Sequence, residues 1–147
     1  ATNLGCWDIV RLLLGRQDVD PNGQGTGAPL ITAVKKNDVS MARLLLTNPK
    51  TKINPADSNG DVPLQIALEK GYLEMALLLM VDERSDVNTT FNTGWSPLQL
   101  AASTGNETMV RVLLSDPNIR MNAQNHRGWT ALHVAMYKDF VVIARIL

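Results

Sequence analysis

The chain holds 147 residues, 45% hydrophobic and 19% charged, with 14 basic residues balanced by 14 acidic ones. Such a composition suits a packed globular protein, and zero formal charge provides no global field to draw nucleic acid or an anionic membrane. No apolar run approaches the roughly 20 residues of a bilayer-spanning helix, no signal-peptide pattern is present, and the lone Cys6 has no internal partner for a disulfide, which points to an intracellular compartment, cytoplasmic or nuclear.

One spacing recurs along the sequence. Leu30, Leu64, Leu98 and Leu132 fall 34 residues apart, as do Ala33, Ala67, Ala101 and Ala135. The same step links Met41, Met75, Met109 and Ile143, then Leu45, Leu79, Leu113 and Leu147, and also Asp20, Asn54, Asn88 and Asn122. Self-similarity at this length signals stacked supersecondary units, none able to bury its own apolar face alone. In chain order, residues 1–22 read as the tail of a first unit, because Gly5 stands four residues before Ile9 as Gly71 stands four before Met75. Trp7, just before the helix that carries Ile9, is expected in the stacking core.

Residues 23–54 read as a second unit, opened by the finger Gly23-Gln24-Gly25-Thr26-Gly27-Ala28. Glycines ahead of a helix can cradle a phosphate, but this run has no P-loop lysine and its glycines fall where the period puts a turn. Residues 55–88 and 89–122 form complete units and 123–147 an incomplete fifth. Pro63 and Pro97 stand where a helix begins and the missing N–H is no loss. Gly71 and Gly105, eight residues on, end that helix through a backbone state glycine reaches cheaply. A second helix follows, with Met75, Ala76, Leu78 and Leu79 on helical spacing.

The outer loop is expected to vary in length. Leu14 to Asp20 is six residues, whereas Leu46 to Asn54, Met80 to Asn88 and Leu114 to Asn122 are each eight. On this count Thr47-Asn48-Pro49-Lys50 and Ser115-Asp116-Pro117-Asn118 lengthen the edge, with Asn48-Pro49, Asn54-Pro55 and Asp116-Pro117 supplying turn chemistry. Neither end carries the polar outer face expected of a terminal repeat, so two raw apolar ends, a route to self-association, are expected.

These units resemble ankyrin repeats. Thr130-Ala131-Leu132-His133 is close to the family's Thr-Pro-Leu-His helix start, Ser96-Pro97-Leu98-Gln99 is a near match, and Val62-Pro63-Leu64-Gln65 and Ala28-Pro29-Leu30-Ile31 are weaker ones. Ile9-Val10-Arg11-Leu12-Leu13-Leu14 matches the family's second helix and Asp86-Val87-Asn88 its loop end. The resemblance implies one all-α domain over 1–147, an ankyrin-repeat solenoid of helix-turn-helix units with β-hairpin or loop fingers, about three full repeats between partial ones. It also implies a non-catalytic module that binds a partner protein or peptide on the concave surface of fingers and first helices. A structural spacer array is the alternative, as is a regulatory region of a larger enzyme or NTP-binding signalling protein. Asp18-Val19-Asp20-Pro21-Asn22 resembles loops of fungal arrays, including some attached to such signalling proteins.

No catalytic, metal or cofactor site is expected. His126 and His133 have no cysteine or carboxylate at ligand spacing, and the resemblance assigns His133 a hydrogen bond within its own helix start. Asp82, Glu83 and Asp86 read as a solvated loop edge with no convergent second group. Cys6, Ser96 and Ser103 lack an adjacent base. Asn88-Thr89-Thr90 and Asn106-Glu107-Thr108 are glycosylation sequons that matter only in a secreted protein, and the Asn88 amide is expected to satisfy turn backbone groups.

Transferring the family's variable binding positions gives Gln24, Gly25, Gly27, Lys35 and Lys36 in the second repeat, and Ser58, Asn59, Asp61, Glu69 and Lys70 in the third. The fourth offers Asn92, Thr93, Trp95, Ser103 and Thr104, and the fifth His126, Arg127, Trp129, Tyr137 and Lys138. The ledge is polar and charged early, aromatic and basic late. Trp, Tyr and Arg most often anchor interfaces, so Trp95, Trp129, Tyr137 and Arg127 are the expected anchors. A tryptophan just after the turn glycine can equally cover the neighbouring finger.

Overall fold

The computed structural model describes residue 12, residues 20–22 and residues 28–147. Cys6, Trp7 and the glycine-rich finger 23–27 lie outside the described residues, as does most of the first partial repeat. From residue 28 onward the chain forms eight helices: α1 (Pro29–Lys35), α2 (Val39–Leu46), α3 (Pro63–Lys70), α4 (Leu73–Met80), α5 (Pro97–Ser103), α6 (Glu107–Leu114), α7 (Ala131–Tyr137) and α8 (Val141–Ile146). Each first helix pairs with the second helix of its own repeat, α1 stacks on α3, α3 on α5 and α5 on α7, and α2 meets α4 as α6 meets α8. Two rows of helices result, the layering expected when short amphipathic units bury one another.

The helix starts improve along the chain. At the N-cap, Ala28 and Val62 make no side-chain cap, whereas Ser96 and Thr130 each form a reciprocal capping box with Gln99 and His133 three residues on. Thr130 Oγ1 and His133 Nδ1 are 2.8 Å apart, as the resemblance implies for His133. The helix-to-helix turn needs a left-handed residue, and Gly71 and Gly105 supply it at φ 69° and 73°. Asn37 and Asp139 occupy the same register at φ 53° and 59°, short polar side chains being the ones that tolerate this region best.

Leu30, Leu64, Leu98, Ala33, Ala67, Ala101, Ala135, Met75, Met109, Ile143, Leu45, Leu79 and Leu113 are all buried. Burying a leucine of this kind contributes about 1.5–3 kcal/mol. Leu132 departs from its register and is 43% exposed. Met136, Val141 and Val142 are likewise exposed, at 67%, 53% and 54%.

The fingers are turns; among the described residues no strand forms. In the third, fourth and fifth repeats Asp57, Phe91 and Asn125 each receive the N–H of the glycine three residues on and donate their own N–H to the carbonyl of Asp61, Trp95 and Trp129. Two hydrogen bonds per finger close a turn but do not propagate a ladder. The Asp57 and Asn125 side chains each also accept two backbone N–H bonds inside the turn.

Side chains staple each repeat to the next, which the sequence reading did not foresee. Asn88 Nδ2 donates to the Asn118 carbonyl at 2.9 Å while Asn88 Oδ1 accepts from Arg120 N–H at 2.7 Å. The expected role of Asn88, satisfying backbone groups, holds, but the groups belong to the following repeat. Asn22 makes the same pair of bonds to the Lys50 carbonyl and Lys52 N–H. Asn22, and not Asp20, is therefore the equivalent of Asn88, and Leu14 to Asn22 is eight residues like the other outer loops. The expected shortening of that loop is corrected: the two missing residues fall between Asn22 and Leu30, which lie eight apart where Asn88 and Leu98 lie ten apart.

In the outer loops between the second and third repeats, Arg84 is a staple. Its guanidinium donates to the Thr51 carbonyl at 2.9 Å and the Leu46 carbonyl at 3.1 Å while pairing with both carboxylate oxygens of Asp82. Asp82 is thus half of an ion pair rather than part of a purely solvated edge. The Arg84 bond holds its carboxyl below the usual range, and the pair raises Arg84 in turn.

Candidate functional site

The finger row builds one cleft between the fourth and fifth repeats, about 310 Å³ in volume, lined by Thr93, Trp95, Asn125, His126, Arg127 and Trp129. The turns fix its walls. Trp95 and Trp129 follow Gly94 and Gly128, whose φ values of 77° and 73° reverse the chain so that each indole leaves the turn just before its helix. Asn125 accepts from the N–H groups of Arg127 and Trp129 at 2.9 and 3.1 Å and so holds the fifth finger in shape. Gly94 also gives room: a Cβ there would sit 2.1 Å from His126 Cδ2, so the imidazole lies against bare backbone.

Deeper in, the buried Gln99 ties the fourth repeat to the fifth. Its Nε2 donates to the Ala123 and Trp129 carbonyls at 2.9 and 2.6 Å, and its Oε1 accepts the Ser96 N–H. The base of the cleft is therefore anchored through the helix start of α5. Gln65 stands in the same register one repeat earlier, but it donates to Asp61 and Glu69, and its Oε1 has no partner.

Of the expected anchors, Trp95, Trp129 and Arg127 meet in this cleft, together with His126 and Thr93. Tyr137 stacks beside it, its ring centroid 5.2 Å from that of Trp129 at an interplanar angle of 54°. Both tryptophans are partly buried against the core and both line the cleft. Tyr137 is 73% exposed, and Lys138 follows it as an exposed residue at the C-cap of α7.

Several other ledge positions form bonds within or between repeats. Asn92 Nδ2 donates to the Asn59 carbonyl at 2.9 Å and lies 3.3 Å from Asp61 Oδ1, linking the third and fourth fingers. Lys35 donates to Asp57, whose side chain is only 2% exposed, across the second and third repeats. That bond holds the Asp57 carboxyl below its ordinary range. Glu69 accepts from Gln65, the Ser103 and Thr104 hydroxyls bond carbonyls of their own helix, and Lys70 is an exposed residue in the last turn of α3. Sequence reasoning missed Asn125, Gln99 and Gly94 as shapers of the cleft. The signals were there in the register Asp57, Phe91, Asn125 and in the pairing of Ser96 with Gln99.

The cleft offers aromatic walls, an arginine, an imidazole and an amide, which is recognition chemistry. Among the described residues no group of three or more His, Cys, Asp or Glu side chains stands ready to hold a metal ion. No described helix is long and apolar enough to cross a membrane.

The family model described as ankyrin repeats (3 copies) matches residues 1–91 and 78–147. No curated protein matches the sequence significantly. Ankyrin repeats are in general protein-protein interaction modules and typically carry no catalysis. With that match reaching from the first residue to the last, and with paired helices stacked in two rows behind turn-built fingers, the chain belongs to the ankyrin-repeat family.

Proposed function

We propose that this chain is a non-catalytic module that binds a partner protein or peptide on the surface formed by its fingers and first helices. Its centre is the cleft between the fourth and fifth fingers. The observation that carries this reading is the convergence of Trp95, Trp129, Arg127 and His126 on one cleft. Large, partly desolvated aromatic side chains next to an arginine are the combination that most often dominates interface energetics. Recognition then rests on shape and apolar anchoring, with the repeat stack as a rigid support.

The test is affinity capture with the whole chain as bait, wild type beside the Trp95→Ala/Trp129→Ala double variant and a Glu83→Ala control in the outer loop, away from the fingers. The double variant is expected to lose proteins that wild type and control both retain. Identical retention by all three baits would remove the cleft from the reading.

A further inference from the structure

The charge around the cleft narrows the partner class, an inference that rests on the binding reading above. Residues 89–147 hold five Lys and Arg against three Asp and Glu. None of those carboxylates lines the cleft. Glu107 opens α6 and is paired with Arg111, Asp116 accepts the Asn118 N–H in the outer loop, and Asp139, next to Lys138 in sequence, lines a separate pocket with Met136, Phe140 and Arg145. The side chains of Arg127 and Lys138, by contrast, make no ion pair or hydrogen bond among the described residues, whereas Lys35 on the same ledge is paired with Asp57. One unpaired cation, Arg127, thus lines an aromatic cleft without an acid, and a second, Lys138, follows the Tyr137 that packs on Trp129.

We infer that the occupant is an extended acidic peptide segment, its carboxylates meeting Arg127 and Lys138 and one of its apolar side chains seated between Trp95 and Trp129. The guanidinium suits a carboxylate bidentately, and Lys138 acts as a point charge at the Tyr137 end. Complementary charge at such a rim sets encounter rate and partner choice, while the aromatic walls supply affinity. A nucleic-acid strand is the poorer fit, since proteins that hold one typically neutralise about 6–10 phosphates, whereas the cleft lining holds one cation, Arg127, with Lys138 next to Tyr137 beside it.

The test is selection of random displayed peptides of about twelve residues on the whole chain, with counter-selection on Trp95→Ala/Trp129→Ala. Acidic sequences around an apolar residue are expected to enrich. The synthesised best binder is expected to weaken about tenfold with Arg127→Gln/Lys138→Gln and to weaken with added salt. Both cations are exposed and unpaired, so that double variant is expected to melt with wild type, which separates lost binding from lost fold. Enriched neutral or basic peptides that need the tryptophans but ignore the charge substitutions would overturn the acidic assignment and leave the binding reading standing. Absence of any tryptophan-dependent peptide would overturn both. An oligothymidine of equal length that binds more tightly than the best peptide would also overturn the acidic-peptide assignment.

Discussion

Replacing Arg84 by alanine removes the outer-loop staple between the second and third repeats and leaves the Lys35–Asp57 bond in place. Two hydrogen bonds to the carbonyls of Thr51 and Leu46 are lost, along with a bidentate pair to Asp82. Hydrogen bonds to charged groups contribute about 1.5–3 kcal/mol when desolvated, but the Arg84 side chain is 33% exposed, so the lower end applies. Surface ion pairs add about 0–1 kcal/mol, and water re-solvates part of what is exposed. The sum is a loss of about 2 kcal/mol, enough to lower Tm by about 4–8 °C in a chain of this length. In a stack held together by nearest-neighbour contacts the loss is local. Hydrogen exchange is therefore expected to quicken in α1 and α2, on the far side of the broken junction, more than in α5 to α7. Urea unfolding gives the global value, and Glu83→Ala, next door and exposed, is the control. If Arg84→Ala unfolds at the same urea concentration as Glu83→Ala, the guanidinium is not a staple and the lateral hydrogen bonds do not set the strength of the stack.

Asn88→Ala breaks the paired bonds to Asn118 and Arg120, and a loss of about 1–2 kcal/mol in urea unfolding is expected. Val62→Thr places a capping hydroxyl where α3 has none in a nearly isosteric side chain. A gain of about 1 kcal/mol is expected from calorimetry, reduced by whatever Val62 contributes to the core it packs against. Asp57, Asp82 and Asp20 all have folded-state carboxyls below their ordinary range, through Lys35, Arg84 and Asn22 respectively. A depressed folded value means the stabilisation is intact above the unfolded carboxylate range near pH 4 and is lost as pH falls through the lower folded values. Tm is thus expected to hold from pH 7 to about pH 5 and to drop below about pH 4, with a shallower drop in Asp82→Asn.

Much of the site was within reach of the sequence because it repeats. A residue in register with a turn position in three repeats inherits that position's surroundings, so Trp95 and Trp129 could be set beside the fingers by counting alone. What counting did not give was the partner of each side chain. Asn92 and Lys35 read as free ledge residues, yet both bond across a repeat boundary, because the polar group they reach lies 22 to 33 residues away in sequence. The Asp20 register illustrates the hazard: it matches the 34-residue step to Asn54, but hydrogen bonding gives the role to Asn22.

By itself the sequence determined the fold of this protein, since a repeated pattern of prolines at helix starts, left-handed turn residues and helically spaced leucines admits one way of burying the apolar faces. Only the tertiary structure decided which polar side chains are spent holding neighbouring repeats together and which remain free around the Trp95–Trp129 cleft. The reason is physical: helix formation and burial follow from local periodicity, whereas a hydrogen bond or an ion pair exists only where stacking brings a donor within about 3 Å of its acceptor.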